Sequence, residues 1–250
     1  MAVASLAPVR LFAHARRKIG SRLDPRARRA AAVRKELAER YLAGEGIEIG
    51  ALHMPLWVPA QASVRYVDRM AVKDLRTHYP ELADLKLVEP DVVDDGEALR
   101  TFESDSLDFV IANHFIEHTE DPLGTLANHA RVLRPGGVLY LAVPDKRETF
   151  DRERAVTPIE HLVRDRDEGP GWSRREHFED WARHVDKADD VDGHATKLME
   201  EDYSIHFHVW TLEAFRELLE YARREMRLPF ELQELVPNTG EFIAVLRKET

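Results

Sequence analysis

The sequence predicts an α/β protein with a central, mostly parallel sheet that helices cover on both faces. Short apolar runs, typical of buried parallel strands, alternate along the chain with segments of helical period. Two further apolar runs, at residues 230–236 and 241–247, are separated only by a short turn. So short a connection requires an antiparallel hairpin. We therefore expect a doubly wound sheet, with right-handed crossovers, that ends in a hairpin.

The first strand, its turn and the second strand lie within residues 44–68. Gly50, where the first strand turns, lets a ligand lie against the backbone, because glycine has no side chain. An acid closes each strand, Glu48 the first and Asp68 the second. An acid at the end of the second strand, about twenty residues after the turn, is well placed to bind ribose hydroxyls. This layout is typical of a nucleoside-binding domain.

Hydrophobic period and capping residues predict the remaining elements. Asp24 and Pro25 mark the start of a helix that ends before Gly44. The other helices are predicted at residues 72–79, 122–133 and 211–224, and the other strands at residues 85–88 with 91–93, 107–112 and 138–143. Pro90 interrupts the third strand, because proline cannot donate to a ladder.

Composition divides the chain into an extension and a domain. Residues 1–43 are a basic N-terminal helical extension with 11 Lys and Arg against three Asp and Glu, whereas the rest carries 25 against 43. Residues 44–250 form the α/β domain. Within it, residues 145–205 are predicted to be a helical insertion that caps the substrate, because linkers rarely hold so many large apolar side chains. Residues 1–23 are either an organelle leader or a basic helix that packs on the body or on a second subunit.

The composition also excludes several classes of function. The chain has no cysteine, which excludes disulfides, thiolate metal sites and a cysteine nucleophile. No apolar run is long enough for a membrane span, so we expect a cytoplasmic protein. The formal charge of −10 disfavours binding to nucleic acid phosphates. The expected partners are an acceptor molecule and, through the N-terminal helices, a second copy of the chain.

Several short motifs occur in a fixed order before residue 144. They are Ile47-Glu48-Ile49-Gly50, Asp68, Asp95-Gly96-Glu97, Leu107-Asp108-Phe109-Val110, Phe115-Ile116-Glu117-His118 with Asp121-Pro122, and Arg131-Val132-Leu133-Arg134-Pro135-Gly136-Gly137. Together with the terminal hairpin, this set resembles the class I S-adenosylmethionine-dependent methyltransferases that act on small molecules and glycans. The resemblance implies a Rossmann-like sheet of order 3-2-1-4-5-7-6 with the last strand antiparallel, and S-adenosyl-L-methionine as cofactor.

The same resemblance implies which residues bind the cofactor. They are Glu48 and Gly50 at the methionine part, Asp68 at the ribose, Arg69, Asp95 and Gly96 at the adenine, and Asn113 near the sulfonium. Ala51, next to Gly50, is also expected to bind the cofactor. One position departs from the family pattern, because Leu52 stands where a second glycine is usual. We therefore expect this turn to follow a somewhat different path or to leave less room beside the cofactor.

Two histidines and an aspartate are the candidate catalytic residues. His206 and His208 precede the last long helix, and in a strand their rings would share one face. One of them is expected to border the acceptor pocket as a general base, since imidazole titrates near working pH. The alternative is a pair of structural, hydrogen-bonded histidines. Asp145, just past the fifth strand, is a second candidate base, or else an N-cap or turn residue.

A metal centre is not predicted from the sequence. His114, Glu117 and His118 match the His-x-x-Glu-His pattern of a zinc peptidase helix. However, they follow a buried strand directly, and a third metal ligand cannot be named from the sequence.

The sequence therefore predicts an enzyme that transfers a methyl group from S-adenosylmethionine to a small-molecule or sugar acceptor. A hydroxyl oxygen is the first choice of acceptor atom and nitrogen the second. Two alternatives stay open, a non-catalytic nucleoside-binding module and a nicotinamide-dependent oxidoreductase. The missing second and third glycines of the dinucleotide fingerprint count against the oxidoreductase.

Overall fold

A computed structural model describes residues 24–250, apart from the side chain of Glu81. Its strands are β1 (Gly44–Ile49), β2 (Ala62–Asp68), β3 (Val92–Val93), β4 (Leu107–Asn113), β5 (Leu133–Pro144), β6 (Phe230–Asn238) and β7 (Glu241–Lys248). They form one sheet of order β3-β2-β1-β4-β5-β7-β6, in which β7 runs antiparallel to both neighbours. The predicted fold class and strand order are confirmed. The two predictions for residues 1–23 lie outside the described residues.

Helices cover the sheet and fill the stretch after β5. They are α1 (Pro25–Tyr41), α2 (Val72–His78), α3 (Pro122–Val132), α4 (Ile159–Glu168), α5 (Arg174–His184), α6 (Val191–Glu200) and α7 (Leu212–Arg224). The helical character predicted for residues 145–205 is confirmed by α4, α5 and α6. Within residues 24–250, no helix combines the length and the apolar character that a membrane crossing requires.

Local sequence determines where the helices begin. Asp24 accepts a hydrogen bond from the N–H of Arg26 at 2.9 Å, and Pro25 opens α1. Asp121 accepts from the N–H of Gly124 at 2.8 Å at the start of α3. In both cases the carboxylate satisfies a backbone donor that the helix itself cannot pair.

The two faces of the sheet carry separate cores. Side chains alternate along β4, so Phe109 and Ile111 pack against α1, whereas Val110 and Ala112 pack in the core with α3 and α7. The insertion has a third core of its own, built around Phe178 and Trp181. α5 and α6 therefore pack around a core of their own, whereas Leu162 of α4 joins the core with α3 and α7.

Two predicted strand boundaries are wrong. β3 contains only Val92–Val93, while residues 85–88 have no strand structure. Pro90 cannot donate to a ladder, which limits pairing at this edge of the sheet. β5 begins at Leu133 rather than at residue 138, because Leu133 already pairs with Leu107 of β4. Residues 134–137 then form a bulge before Val138 pairs with Phe109.

A buried carboxylate joins α1, β7 and the turn after β4. Glu241 is 6% exposed and accepts hydrogen bonds from Arg34 at 2.8 and 2.5 Å, from Asn238 at 2.7 Å and from His114 Nε2 at 2.6 Å. Burial alone would raise the pKa of Glu241, but the bonds from Arg34 and His114 outweigh it and hold that pKa well below its usual range. The carboxylate is therefore charged and fully paired.

We expect Glu241→Gln to lower the free energy of unfolding by about 3 kcal/mol at pH 7, because the buried Arg34 charge loses its partner. The measurement is urea unfolding. Glu234→Gln is the matched control, since Glu234 pairs with Arg40 but is 25% exposed, and such surface pairs contribute less than about 1 kcal/mol. Similar losses in both variants would contradict this role for Glu241.

The effect should depend on pH in a defined direction. The folded-state pKa of Glu241 lies below its unfolded value of about 4.3. The carboxylate's contribution is therefore present above that unfolded value, and it is lost as the pH falls through the folded-state pKa. Acid should thus shrink the difference between the wild type and Glu241→Gln.

Candidate active site

The carboxyl ends of neighbouring parallel strands lie side by side. Ile49 pairs with Ala112, so Gly50, which follows β1, lies next to Asn113 at the end of β4. Asp68 ends β2 on the other side of β1. In open α/β sheets, ligands bind beyond this edge. The structure therefore places these three predicted cofactor residues along one edge of the sheet.

The turn after β1 leaves open space beside its backbone. Gly50 has a φ of +64°, and a Cβ built there would meet no described atom within 4 Å. Ala51 and Leu52 continue the turn, and Leu52 has a φ of 47°. Leucine thus adopts the left-handed backbone at the position where the family usually has glycine.

Two buried polar groups lie beneath this turn. Glu48 is 1% exposed, and its carboxyl oxygens accept the N–H of Leu56 at 2.9 and 3.0 Å. Burial raises the pKa of Glu48 to about 7, and the Leu56 bond only partly offsets this. The Asn113 side chain is close enough to Glu48 to lower the pKa of Glu48, yet no hydrogen bond of good geometry joins Asn113 to Glu48. Both amide atoms of Asn113 are buried and lack a partner among residues 24–250.

The end of β2 is connected to the loop after α6. Asp68 is partly buried, and burial raises its pKa despite hydrogen bonds from backbone N–H groups. The guanidinium of Arg69, predicted beside the adenine, donates to Asp202 at 3.0 Å and to the Tyr79 hydroxyl at 2.6 Å. Arg69 therefore fixes the loop at residue 202 over the end of β2.

Asp95 and Gly96 lie in the turn after β3. Asp95 is exposed, and its Oδ1 accepts the N–H of Glu97 at 2.9 Å. A Cβ at Gly96 would lie 2.5 Å from Ile49 Cγ2 and 2.7 Å from Phe115 Cζ. Gly96 is thus required for close packing of the backbone, and the adenine contacts of both residues stay predictions.

The turn after β4 has a strained backbone. His114 has a φ of 51°, and its Nε2 donates to Glu241 at 2.6 Å while its Nδ1 lies 3.5 Å from Glu117. Burial lowers the pKa of His114, but the bonds to these carboxylates outweigh it and raise that pKa to about 9. The side chain is still 43% exposed, so solvent screens the pair. Left-handed backbone in a residue other than glycine is frequent at functional sites.

The peptidase pattern does not form a metal-binding helix. Residues 116–118 form a single 3₁₀ turn, and His118 Nδ1 donates to the carbonyl of Ile205 at 2.8 Å, away from the partners of His114. Burial, and then the nearby His206, lower the pKa of His118 to about 4. His118 is therefore neutral.

His206 forms a buried pair with a residue that sequence reasoning missed. Its Nδ1 donates to Asp151 Oδ2 at 2.7 Å, and Arg154 donates to the other oxygen at 2.8 Å. Burial would raise the pKa of Asp151, but His206 and Arg154 lower it to about 2. No local signal marked Asp151, which lies 55 positions from its partner.

His206 also meets the turn after β4. Its ring centroid is 4.7 Å from that of His118, and donor atoms of Glu117, His118 and His206 lie within 4.8 Å of one another. Glu117 is 1% exposed, and its carboxylate makes no hydrogen bond of good geometry within residues 24–250. This buried cluster offers ligands for a metal ion or groups that hold a proton.

Comparisons with known proteins identify this arrangement. A family model described as a methyltransferase domain matches residues 57–141. A chain from the complex that contains the Haloferax volcanii Trm112 methyltransferase activator is 17% identical, with a TM-score of 0.50, covering 96% of this chain and 96% of that chain. The chain contains a class I S-adenosylmethionine-dependent methyltransferase domain. Its cofactor is S-adenosylmethionine.

A further solved structure and the curated proteins were also compared with this chain. A Thermotoga maritima S-adenosylmethionine-dependent methyltransferase, described as a possible histamine N-methyltransferase, is 14% identical with a TM-score of 0.48, covering 96% of this chain and 100% of that chain. No curated protein matches the sequence. At 17% identity, the likeness to the chain from the Haloferax volcanii complex establishes the fold of the methyltransferase and not its acceptor.

Two predicted catalytic residues of the methyltransferase have partners other than Asp151 and His206. Residues 206–208 form no strand, and His208 enters a separate cluster with His161, Asp165 and His177. Asp145 caps a 3₁₀ turn, and Arg147 donates to its two oxygens at 2.9 and 2.6 Å. Burial would raise the pKa of Asp145, but Arg147 outweighs it and lowers that pKa. The N-cap alternative for Asp145 is confirmed.

A cavity of about 600 Å³ opens between α2 and the end of α6 of the methyltransferase. Met70, His78, Lys197 and Tyr203 contribute to its walls. Met70 follows Arg69 directly, so the cavity adjoins the contact between Arg69 and the loop at residue 202.

We expect Gly50→Ala to weaken binding of S-adenosylhomocysteine at least tenfold, because the added methyl group enters the open space beside the turn. Gly136→Ala is the matched control, since Gly136 has a φ of +81° and equally open surroundings. Both variants should lose about 1 kcal/mol of stability from left-handed strain. Isothermal titration separates the two effects, and equal affinities in both variants would remove Gly50 from the cofactor site.

Proposed function

We propose that the protein methylates a hydroxyl oxygen of a small-molecule or sugar acceptor. The buried pair of Asp151 and His206, next to the turn after β4, carries this proposal. An oxygen acceptor must lose its proton, and the pair supplies a group that can take it. Nitrogen is the second choice of acceptor atom.

The residues at the carboxyl edge of the sheet fit the cofactor. The open space at Gly50 and the unpaired amide of Asn113 suit a polar ligand that lies against the backbone. We assign Glu48, Gly50, Ala51 and Asn113 to its methionine part and sulfonium, and Asp68, Arg69, Asp95 and Gly96 to its ribose and adenine. When bound, S-adenosylmethionine supplies an electrophilic methyl group.

His206 is the proposed general base. Its Nδ1–H is donated to Asp151, so its Nε2 carries the lone pair that accepts a hydroxyl proton. The Asp151 carboxylate stabilises the imidazolium that results, because the two charges lie in a buried, weakly screened environment. His118 is neutral and donates from Nδ1, so its Nε2 can accept one hydrogen bond without adding charge.

Residues 145–205 are proposed to bind and cap the acceptor. The loop that follows α6 contacts the end of β2 through Asp202 and the turn after β4 through Ile205. It therefore crosses the edge where the cofactor is expected, and the nearby cavity of about 600 Å³ has the size of a small-molecule site. The acidic body of the protein supports an acceptor without phosphates.

We expect His206→Gln and Asp151→Asn each to lower kcat by a factor of about 10² to 10⁴, with unchanged affinity for S-adenosylhomocysteine. The acceptor for this assay comes from a mass-spectrometric screen for gain of one methyl group. His184→Gln is the control, because His184 is a surface histidine on α5. Wild-type turnover in folded His206→Gln would contradict the proposed base.

A further inference from the structure

Four side chains of types that can bind a metal ion meet between the insertion and the segment before α7. His161 and Asp165 lie one turn apart on α4, His177 lies on α5, and His208 lies in the segment before α7. One donor atom from each lies within 4.8 Å of all the others. The side chains of Asp165 and His208 are 0% exposed, and that of His161 is 17% exposed. Asp165 and His208 are therefore shielded from solvent, and His161 and His177 are partly buried.

The donor distances match the edges of a small tetrahedron. Zn²⁺ binds nitrogen and oxygen at about 2.0–2.2 Å, which places neighbouring ligands of a tetrahedral site about 3.3–3.6 Å apart. His161 Nε2 lies 3.0 Å from His177 Nε2 and 3.2 Å from Asp165 Oδ2. His208 Nε2 lies 3.7 Å from the same oxygen. Four donors at this spacing can surround one ion.

The hydrogen bonds around the cluster also point to an ion. Asp165 Oδ1 accepts the Ser173 hydroxyl at 2.9 Å, whereas Oδ2 makes no hydrogen bond of good geometry within residues 24–250, although His161 Nε2 lies 3.2 Å away. A hydrogen bond that holds one carboxylate oxygen, and so orients the other, is common around metal ligands. A hydrogen bond from His208 Nε2 would compete with an ion for this atom, but the carbonyl of Glu120 is 3.4 Å away, which is long for such a bond.

We propose that His161, Asp165, His177 and His208 bind one Zn²⁺ ion in a closed, four-coordinate structural site. Three imidazoles and one carboxylate suit a borderline divalent ion, and no position is left for a reacting ligand. The ion would join α4 and α5 to the segment before α7. Because His206 is two residues from His208, the ion would also restrict the position of His206. The proposed metal site does not depend on the proposed methyl transfer.

Zinc content of the full-length protein tests this site. Bound metal is removed with a chelator, and the protein is incubated with Zn²⁺ and desalted. The zinc bound per protein molecule is then measured by inductively coupled plasma mass spectrometry. We expect His161→Asn/His177→Asn to retain one equivalent less than the wild type. The control His184→Asn/His194→Asn, which replaces two other histidines of the insertion that each pair with an aspartate, should retain the wild-type amount. Chelator should lower the Tm of the wild type by at least about 5 °C and leave that of the first variant unchanged.

Co²⁺ substitution in the wild type keeps the test independent of whether the variants fold. The strong visible absorption of four-coordinate Co²⁺ supports the site, whereas weak six-coordinate absorption, or none, overturns it. Equal zinc content in the wild type and in folded His161→Asn/His177→Asn would also overturn it.

Discussion

The buried carboxylate of Glu241 connects the parts of the molecule on which the site depends. Arg34 brings α1 to it, Asn238 holds the end of β6, and His114 ties it to the strained turn after β4. A buried charge is costly unless it is paired, so the loss of any one of these partners destabilises the arrangement. The antiparallel strand β7 therefore fixes both the helix on one face of the sheet and the turn that leads to Glu117 and His118.

The segment from residue 202 to residue 208 connects the sheet to the insertion. It contacts the end of β2 through Asp202, the turn after β4 through Ile205, Asp151 through His206 and the four-donor cluster through His208. The segment has no regular secondary structure, so individual contacts of its side chains and backbone, and not a strand ladder, hold it in position. An ion in the four-donor cluster would anchor the end of this segment next to the proposed base.

Local signals made much of the fold predictable. The apolar run of β4 and the Asp121–Pro122 start of α3 are each encoded in a few consecutive residues, and the strand order followed from family resemblance. β3 was overestimated because apolar residues near 85–88 pack on α2 instead of joining the sheet. The pairing of Asp151 with His206 and the cluster around Asp165 were not predictable, because distant residues meet only after the insertion packs. The only local sequence signal for that cluster was the spacing of His161 and Asp165 by one helical turn.

We propose that the carboxyl edge formed by β1, β2 and β4 binds S-adenosylmethionine and not a nicotinamide dinucleotide. Isothermal titration of the full-length wild-type protein with S-adenosylhomocysteine, and separately with NAD, tests this proposal. We expect one-to-one binding of S-adenosylhomocysteine and no binding of NAD. Binding of NAD without any binding of S-adenosylhomocysteine would overturn the proposal.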